Sequence, residues 1–315
     1  IDIGGTKIRM GLVDQSGQVI FRKMFLTPSR RPWNKVMDKF CNNFGDMLNE
    51  AGYKYNDLFG VGIGCPGTFD KKRENISFAP NLNWRNVPIK SYLSEKIPIP
   101  IWPENDTNLS TMGIAAFGEG RGVSNFIGIF IGTGIGGGIY LNKKLFIGRT
   151  GGAGEIGHMI VKQNGSRCHC GNRGCLESIA STSAIYSRIN KVYSRKYKDT
   201  RTYSDFKNNA NKSLAIKLAY NSGEPFAAKI IDHAFFSLGM GLVSLINLLN
   251  PEMIVFGGGL SEALRDVMIN KVNDVVQNRA MPGTFEKVSI IATSLGEDAP
   301  IVGGAALVET KRDKS

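Results

Sequence analysis

The chain has 315 residues, of which 42% are apolar and 21% are charged, as is typical of a globular protein with a substantial core. This length suggests one large domain or two lobes of ordinary size. No run of about 18 uncharged apolar residues is present, which disfavours a membrane span. The first residues have neither the basic start nor the apolar stretch of a signal peptide. We therefore expect a cytoplasmic protein.

The formal net charge of +12 invites a nucleic-acid hypothesis. The alternative is a solvated basic surface, to which a frayed tail at residues 311–315 contributes. The basic residues are spread along the chain, and no helix-turn-helix or aromatic stacking motif accompanies them. We therefore expect no nucleic-acid partner and no membrane partner. A mildly positive field would also suit an enzyme that binds a polyphosphate.

In chain order, the first third of the sequence alternates strands with helices. Ile1 to Ile3 forms a strand that ends at a glycine turn. An amphipathic helix follows a 3.6-residue period from Trp33 to Leu48, and Gly52 is placed to cap it. The other predicted elements of this part are strands at 8–13, 19–25, 58–63 and 99–102 and a helix at 89–96.

The opening pattern returns about 128 residues later, with a strand at 126–131, a glycine turn at 132–138 and a second strand at 139–141. Such a repeat suggests two related lobes that face one cleft, and the alternation of strands and helices predicts α/β architecture. We place the smaller lobe at residues 1–105, completed by a C-terminal helix at 303–315, and the larger lobe at residues 106–302.

The second half of the chain contains one strongly apolar helix, from Pro225 to Leu249, which ends before Pro251. A buried strand at 253–256 follows it and leads into three glycines. Residues 193–213 are polar and basic with few apolar positions, and we interpret them as a surface excursion.

Three glycine-rich turns lie at strand ends, where backbone N–H groups could approach phosphate oxygens closely. Their residues are Gly4, Gly5, Thr6 and Lys7; Gly132, Thr133 and Gly134; and Gly257, Gly258 and Gly259. The neighbouring Asp2 could hold Mg²⁺ directly or through water. For each turn alone, the alternative is a tight hairpin or a close packing contact. All three together favour a nucleotide site, although the chain has no P-loop of the GxxxxGKS or GxxxxGKT type.

Three of the five cysteines fall within residues 168–175, and such clustering in a cytosolic protein indicates a metal site before a disulfide. The segment from Cys168 to Glu177 matches the CxCGxxGCxE motif of the ROK family (repressor, open reading frame, kinase). Glu155-Ile156-Gly157-His158 precedes it, as that family's pattern requires. With the DxGGT start and the two later glycine motifs, the resemblance extends from Asp2 to about Leu307.

This resemblance implies an actin-like ATPase (ribonuclease H-like) fold and an ATP-dependent sugar kinase that uses Mg²⁺ and forms a dimer or tetramer. Three thiolates and one imidazole would make a closed, structural zinc site, supplied by His158, Cys168, Cys170 and Cys175. The alternative is a set of reduced thiols. In the family, the histidine offers its second ring nitrogen to a sugar hydroxyl, so His158 would couple the metal to the substrate pocket.

Phosphorylation of a sugar hydroxyl requires a group that accepts its proton, and Asp106 is the candidate. It follows an apolar strand within the segment 103–108, which matches the family's (E/N)ND(A/T)N motif. The alternative is that Asn105 or Asp106 caps the next helix, and the two roles are compatible. The positions that match the family's sugar contacts are Asn105, Asp106, Glu155, His158 and Glu177.

Glucose is the expected substrate because residues 78–84 resemble the FAPN(L/I)xW stretch of ROK glucokinases. N-acetylmannosamine, N-acetylglucosamine and fructose remain alternatives. Two other functions compete: a transcriptional repressor whose DNA-binding domain would precede the DxGGT motif, and a sugar-binding protein that has lost catalysis. The retention of Asp2, Asp106 and both phosphate turns favours a kinase over the last of these.

Overall fold

The computed structural model describes residues 1–313 and contains 13 strands and 11 α-helices in that range. The strands are β1 (Asp2–Ile3), β2 (Lys7–Val13), β3 (Val19–Leu26), β4 (Val61–Cys65), β5 (Thr68–Phe69), β6 (Ile76–Ala79), β7 (Trp84–Val87), β8 (Ile101–Asn105), β9 (Phe126–Ile131), β10 (Ile135–Leu141), β11 (Lys144–Phe146), β12 (Met253–Gly257) and β13 (Ser289–Ala292). The helices are α1 (Trp33–Ala51), α2 (Ile89–Ser94), α3 (Asp106–Phe117), α4 (Glu177–Ala180), α5 (Thr182–Lys196), α6 (Arg201–Asn208), α7 (Lys212–Asn221), α8 (Pro225–Leu249), α9 (Gly259–Ala263), α10 (Arg265–Arg279) and α11 (Ala299–Arg312).

Two five-stranded sheets share one strand order, which confirms the repeat seen in the sequence. The first has the order β3-β2-β1-β4-β8 and the second the order β11-β10-β9-β12-β13. In the first sheet β1 pairs antiparallel with β2 and parallel with β4, and β4 is parallel to β8. In the second sheet β12 is parallel to both β9 and β13. The carboxyl ends of parallel strands therefore meet at one edge of each sheet.

Contacts divide the chain into two units whose bounds differ from the predicted lobes. The first comprises Ile1–Ser124, Gly138–Gly154 and the segment from Glu297 onward, and the second comprises Asn125–Gly137 and Glu155–Gly296. The predicted boundary near residue 105 thus lies inside the first unit, because α3 packs against α11 and β4. The C-terminal helix also begins at Ala299, before the expected position.

The core of the first unit is built by α1 on the sheet. Val36, Phe40, Phe44 and Met47 repeat at helical spacing and are all buried. Gly52 ends the helix with φ at 77°, a left-handed conformation that glycine adopts without strain. The predicted helix and its cap are both confirmed.

The core of the second unit surrounds α8, which has the predicted bounds. This helix is long and apolar enough to cross a membrane by length and composition, yet 61% of its most apolar 18-residue stretch is buried inside the protein. Ile231, Phe235, Leu238 and Leu242 are completely buried in the core. Burial of this kind is typical of the central helix of a globular domain.

Three local predictions need correction. Residues 135–138 belong to strand β10, so the second glycine turn is shorter than expected and ends near Gly134. Residues 193–213 are not a plain surface excursion, because α6 buries Tyr203 and Phe206, which stack with Tyr193 and Tyr186 respectively. Of the expected frayed tail, residues 311 and 312 are helical, and residues 314 and 315 lie outside the described residues.

Glycines allow α3 and α11 to pack closely, and Gly303→Ala is expected to destabilise the protein. A Cβ at Gly303 would collide with the backbone oxygen of Leu109, and a Cβ at Gly113 would lie 2.5 Å from the oxygen of Ala299. Since overpacking costs about 1–3 kcal/mol, we expect the free energy of unfolding in urea to fall by about 3 kcal/mol. Gly45→Ala in α1, where the nearest atom is 3.6 Å away, is the matched control and should be neutral or stabilising.

Candidate active site

In the first unit, the β1–β2 turn carries the predicted phosphate-binding residues. The N–H of Gly4 donates to the carbonyl of Lys7 at 2.9 Å, and the Thr27 hydroxyl donates to the Gly4 carbonyl at 2.7 Å. A Cβ at Gly5 would lie 3.0 Å from the carbonyl oxygen of Asn81. The turn is therefore a tight hairpin held by backbone hydrogen bonds, which was the alternative to a phosphate-binding turn. Such a loop can also present N–H groups to an anion.

Asp2 lies beside this turn and is held by an arginine that the sequence interpretation missed. Arg9 faces it across the hairpin and donates Nε and Nη2 to Asp2 Oδ2 at 3.1 and 2.8 Å. Its Nη1 lies 2.8 Å from Glu297 Oε2. Burial disfavours the charge of Arg9, but the two carboxylates outweigh burial and raise its pKa. Both donors to Asp2 reach the same oxygen, so Oδ1 of Asp2 is not committed to Arg9.

The predicted base lies at the corner between β8 and α3. Asn105 caps the helix, because its Oδ1 accepts from the N–H groups of Thr107 and Asn108 at 2.9 and 3.1 Å. Asp106 is the first residue of α3, and its Oδ1 accepts from the N–H of Thr107 at 3.0 Å. Of the two candidate capping residues, Asn105 is therefore the main cap of α3. Asp106 thus stands at a helix N-terminus, where the N–H groups carry partial positive charge.

Four side chains of the second unit form a candidate metal centre. The ligand atoms of His158, Cys168, Cys170 and Cys175 all lie within 4.8 Å of one another. The Cys170 and Cys175 sulfurs are 3.7 Å apart, and Cys168 Sγ is 3.6 Å from His158 Nδ1. Zinc–sulfur bonds of about 2.3 Å would separate two sulfurs of a tetrahedral site by about 3.8 Å. The donor set and its spacing therefore fit a zinc ion.

The thiols of this centre would need a cation to remain ionised together. Burial, together with hydrogen bonds to neighbouring thiols, raises the pKa of Cys175 to about 12, and burial raises the pKa of Cys168. The pKa of Cys170 is lowered, because the backbone N–H of Asn172 stabilises its thiolate. A bound Zn²⁺ would stabilise all three thiolates and displace their protons.

Two carboxylates lie next to the metal centre. His158 directs Nδ1 toward Cys168, and its Nε2 lies 3.8 Å from Glu155 Oε2. Glu177 accepts the N–H of Ile135 on Oε2 at 3.0 Å, and its Oε1 is 3.8 Å from Cys168 Sγ. The second unit thus brings together three of the predicted sugar contacts, Glu155, His158 and Glu177, around the cysteine cluster.

The remaining glycine turns also belong to the second unit. The N–H of Gly132 donates to the carbonyl of Gly134 at 3.0 Å, and nothing lies within 4 Å of a Cβ built at Gly132. Gly258 has φ at +88° and its Cβ would lie 2.6 Å from the carbonyl oxygen of Ile131. A close packing contact therefore accounts for Gly258, whereas Gly132 has room for a ligand.

Comparison with known proteins agrees with these observations. The sequence model of a protein family described as the ROK family matches residues 1–311. A glucokinase of Halalkalibacterium halodurans is 31% identical over 99% of this chain and 95% of its own length. A xylose repressor of Caldicellulosiruptor bescii is 30% identical over 98% of this chain and 77% of the repressor.

Among solved structures, a ROK family glucokinase from Streptomyces griseus in complex with glucose and AMPPNP has a TM-score of 0.84 and 30% identity. The match covers 98% of both chains. The fold is therefore the predicted actin-like ATPase fold of α/β class. The glucokinase relatives support a sugar kinase that uses ATP.

Proposed function

This chain belongs to the ROK family, and from that premise we propose that it transfers the γ-phosphate of ATP to a hexose, forming glucose 6-phosphate from glucose. The observation that carries the proposal is the corner between β8 and α3. There the side chain of Asn105 caps α3 by accepting from its first N–H groups, and the Asp106 carboxylate stands at the first helical position. The same unit contains Asp2 and the Gly4–Lys7 turn.

In the proposed mechanism, Asp106 accepts the proton of the sugar's primary hydroxyl as that oxygen attacks the phosphate. Asn105, Glu155, His158 and Glu177 orient the ring through its other hydroxyls. Gly4, Gly5, Thr6 and Lys7 with Gly132, Thr133 and Gly134 bind the phosphates, and Gly257, Gly258 and Gly259 lie against the nucleotide. Mg²⁺ held near Asp2 would neutralise charge that develops on the phosphate oxygens.

His158, Cys168, Cys170 and Cys175 would hold a structural zinc, which would support the sugar-binding residues. If Nδ1 of His158, which faces Cys168, held the metal, Nε2 would carry the ring proton and could donate it to a sugar oxygen. We further propose that the protein is cytoplasmic and forms a homo-oligomer.

Glucose is the proposed substrate for two reasons. Residues 78–84 match the glucokinase stretch, and the Streptomyces griseus relative was solved with glucose bound. N-acetylmannosamine, N-acetylglucosamine and fructose are the alternative substrates. A transcriptional regulator is the second candidate function, because the xylose repressor relatives match nearly the whole chain.

A phosphotransfer assay with MgATP separates these possibilities. Glucose, N-acetylmannosamine, N-acetylglucosamine, fructose and mannose are supplied in turn, and formation of ADP is measured. We expect turnover on glucose at about 1–100 per second and at least tenfold lower kcat/KM on the other sugars. Turnover that is faster on another sugar would replace glucose, and the absence of turnover on all five would contradict the kinase proposal.

A further inference from the structure

A largely buried arginine outside the recognised motifs bonds to strand β8, which directly precedes the proposed base. Arg73 donates Nε to Glu104 Oε2 at 3.0 Å, and its Nη2 lies 2.9 Å from Glu104 Oε1. The side chains of Arg73 and Glu104 are only 12% and 8% exposed. This is a largely buried bidentate pair, in which both the charge and the fork geometry of arginine are used.

Glu104 transmits this contact to the corner between β8 and α3. Its Oε1 accepts from the backbone N–H of Asn105 and from Asn108 Nδ2, both at 2.9 Å. Asp106 is the next residue along the chain. The position of the corner that presents Asp106 is thus fixed by Glu104, which is in turn fixed by Arg73.

The same guanidinium also holds a loop of the first unit. Arg73 donates Nη1 and Nη2 to the carbonyl of Gly151 at 3.2 and 3.3 Å. Gly151 has φ at +87°, and a Cβ there would lie 2.6 Å from Arg73 Nη1. The loop at 147–154 continues along the chain to Glu155, a proposed sugar contact, four residues after Gly151.

The backbone of Arg73 is itself unusual. Its φ is +57°, and its N–H donates to the carbonyl of Asp70, whose carboxylate also accepts from the N–H groups of Glu74 and Asn75. A non-glycine residue in this conformation costs about 1–3 kcal/mol, and it persists where the surroundings enforce it. Strain and a buried charge pair at one residue are costly for stability alone, and they cluster where a side chain must be held in place.

We propose that Arg73 is a positioning residue for the sugar: it joins the loop at 147–154 to the corner that presents Asp106, so that the sugar is held with its hydroxyl at the base. This inference rests on the proposed kinase function. Because the nucleotide-binding turn at Gly4–Lys7 makes no contact with Arg73 among the hydrogen bonds and ion pairs of the described residues, the effect should fall on the sugar and not on ATP.

The test uses variants that keep the fold. Arg73→Met alone would leave Glu104 buried without a counter-charge, so it is combined with Glu104→Gln, whose amide oxygen can still accept from Asn105 and Asn108. Gly151→Ala disturbs the same contact from the loop, because its Cβ would lie 2.6 Å from Arg73 Nη1, and it keeps both residues of the ion pair in the chain. The matched control is Arg22→Met with Asp298→Asn, which removes the exposed 2.6 Å pair of the same unit.

Glucose and MgATP KM values, kcat and the Tm are measured for each folded variant. We expect the glucose KM to rise at least tenfold in the Arg73/Glu104 double variant and in Gly151→Ala, with the MgATP KM within twofold of wild type and no change in the control. A glucose KM within twofold of wild type would overturn the inference. It would also be overturned if both KM values rose equally and in proportion to the loss of Tm. Wild-type turnover on glucose tests the proposed function separately, since the inference concerns only the ratios of variant to wild type.

Discussion

Asp106→Asn is expected to lower kcat with glucose by about 10²–10⁴-fold, the usual contribution of a positioned general base. The amide cannot accept the hydroxyl proton at neutral pH, but it has nearly the same shape and can still accept from the N–H of Thr107. Asn105 retains the cap of α3. The variant should therefore fold, and calorimetry should show that it still binds glucose within about tenfold of the wild-type affinity.

The control for this experiment is Asp266→Asn, which removes a carboxylate from the first turn of α10. It reproduces the loss of a favourable charge near a helix N-terminus without touching the proposed site. If Asp106→Asn kept kcat within tenfold of wild type, or if Asp266→Asn lowered kcat equally, the assignment of Asp106 as base would be wrong. A variant that binds no glucose would instead identify Asp106 as a binding residue.

Cys175→Ser is expected to release the zinc and to destabilise the second unit. Metal emission spectroscopy should find one zinc per wild-type chain and less than a tenth of that in the variant. Because the binding energy of a structural metal is available only to the folded protein, the free energy of unfolding should fall by at least about 3 kcal/mol. The turnover should fall as well, since Cys168 and His158 of the cluster lie beside Glu177 and Glu155.

Cys41→Ser is the appropriate comparison, because Cys41 is a partly buried thiol outside the cluster. Burial raises its pKa to about 11, so it is a neutral thiol at physiological pH. It should keep the zinc and most of the stability. A Cys175→Ser protein that retained a full equivalent of zinc, or that matched Cys41→Ser in stability, would rule out the Cys₃His centre as proposed.

The elements that the sequence predicted well are those encoded by short segments. The cysteine cluster could be recognised because its four ligands fall within residues 158–175, where one loop can bring them together. The helix α1 and its Gly52 cap could be predicted from the 3.6-residue period of the apolar positions and from composition. The corner at Asn105 could be predicted as well, since a capping residue and an acidic residue of the first helical turn are adjacent in the chain.

The contacts that could not be predicted join distant parts of the chain. Arg73 reaches Glu104 and Gly151, which are 31 and 78 positions away, and no local pattern distinguishes it from an exposed arginine. Arg9 was in principle accessible, because the hairpin register places it opposite Asp2. The buried aromatic residues of α6 were missed because their contacts to α5 depend on tertiary packing and not on the polar composition of the segment.

The boundaries between the two units could not be predicted from the sequence for a related reason. The chain passes from one unit to the other after Ser124, Gly137, Gly154 and Gly296. A strand such as β10 begins in the second unit and ends in the first. Composition changes little at these points, so the boundaries drawn from sequence, after residues 105 and 302, are two where the chain has four.

The return of α11 to the first unit has a consequence for synthesis on the ribosome. This helix follows the whole second unit along the chain, yet it packs against α3 and β4 of the first. While the second unit is still being translated, the glycine-lined surface of α3 has no partner helix and its apolar face stays open to solvent or chaperones. The second unit, which is built from later residues, can complete its core before the one that was translated first.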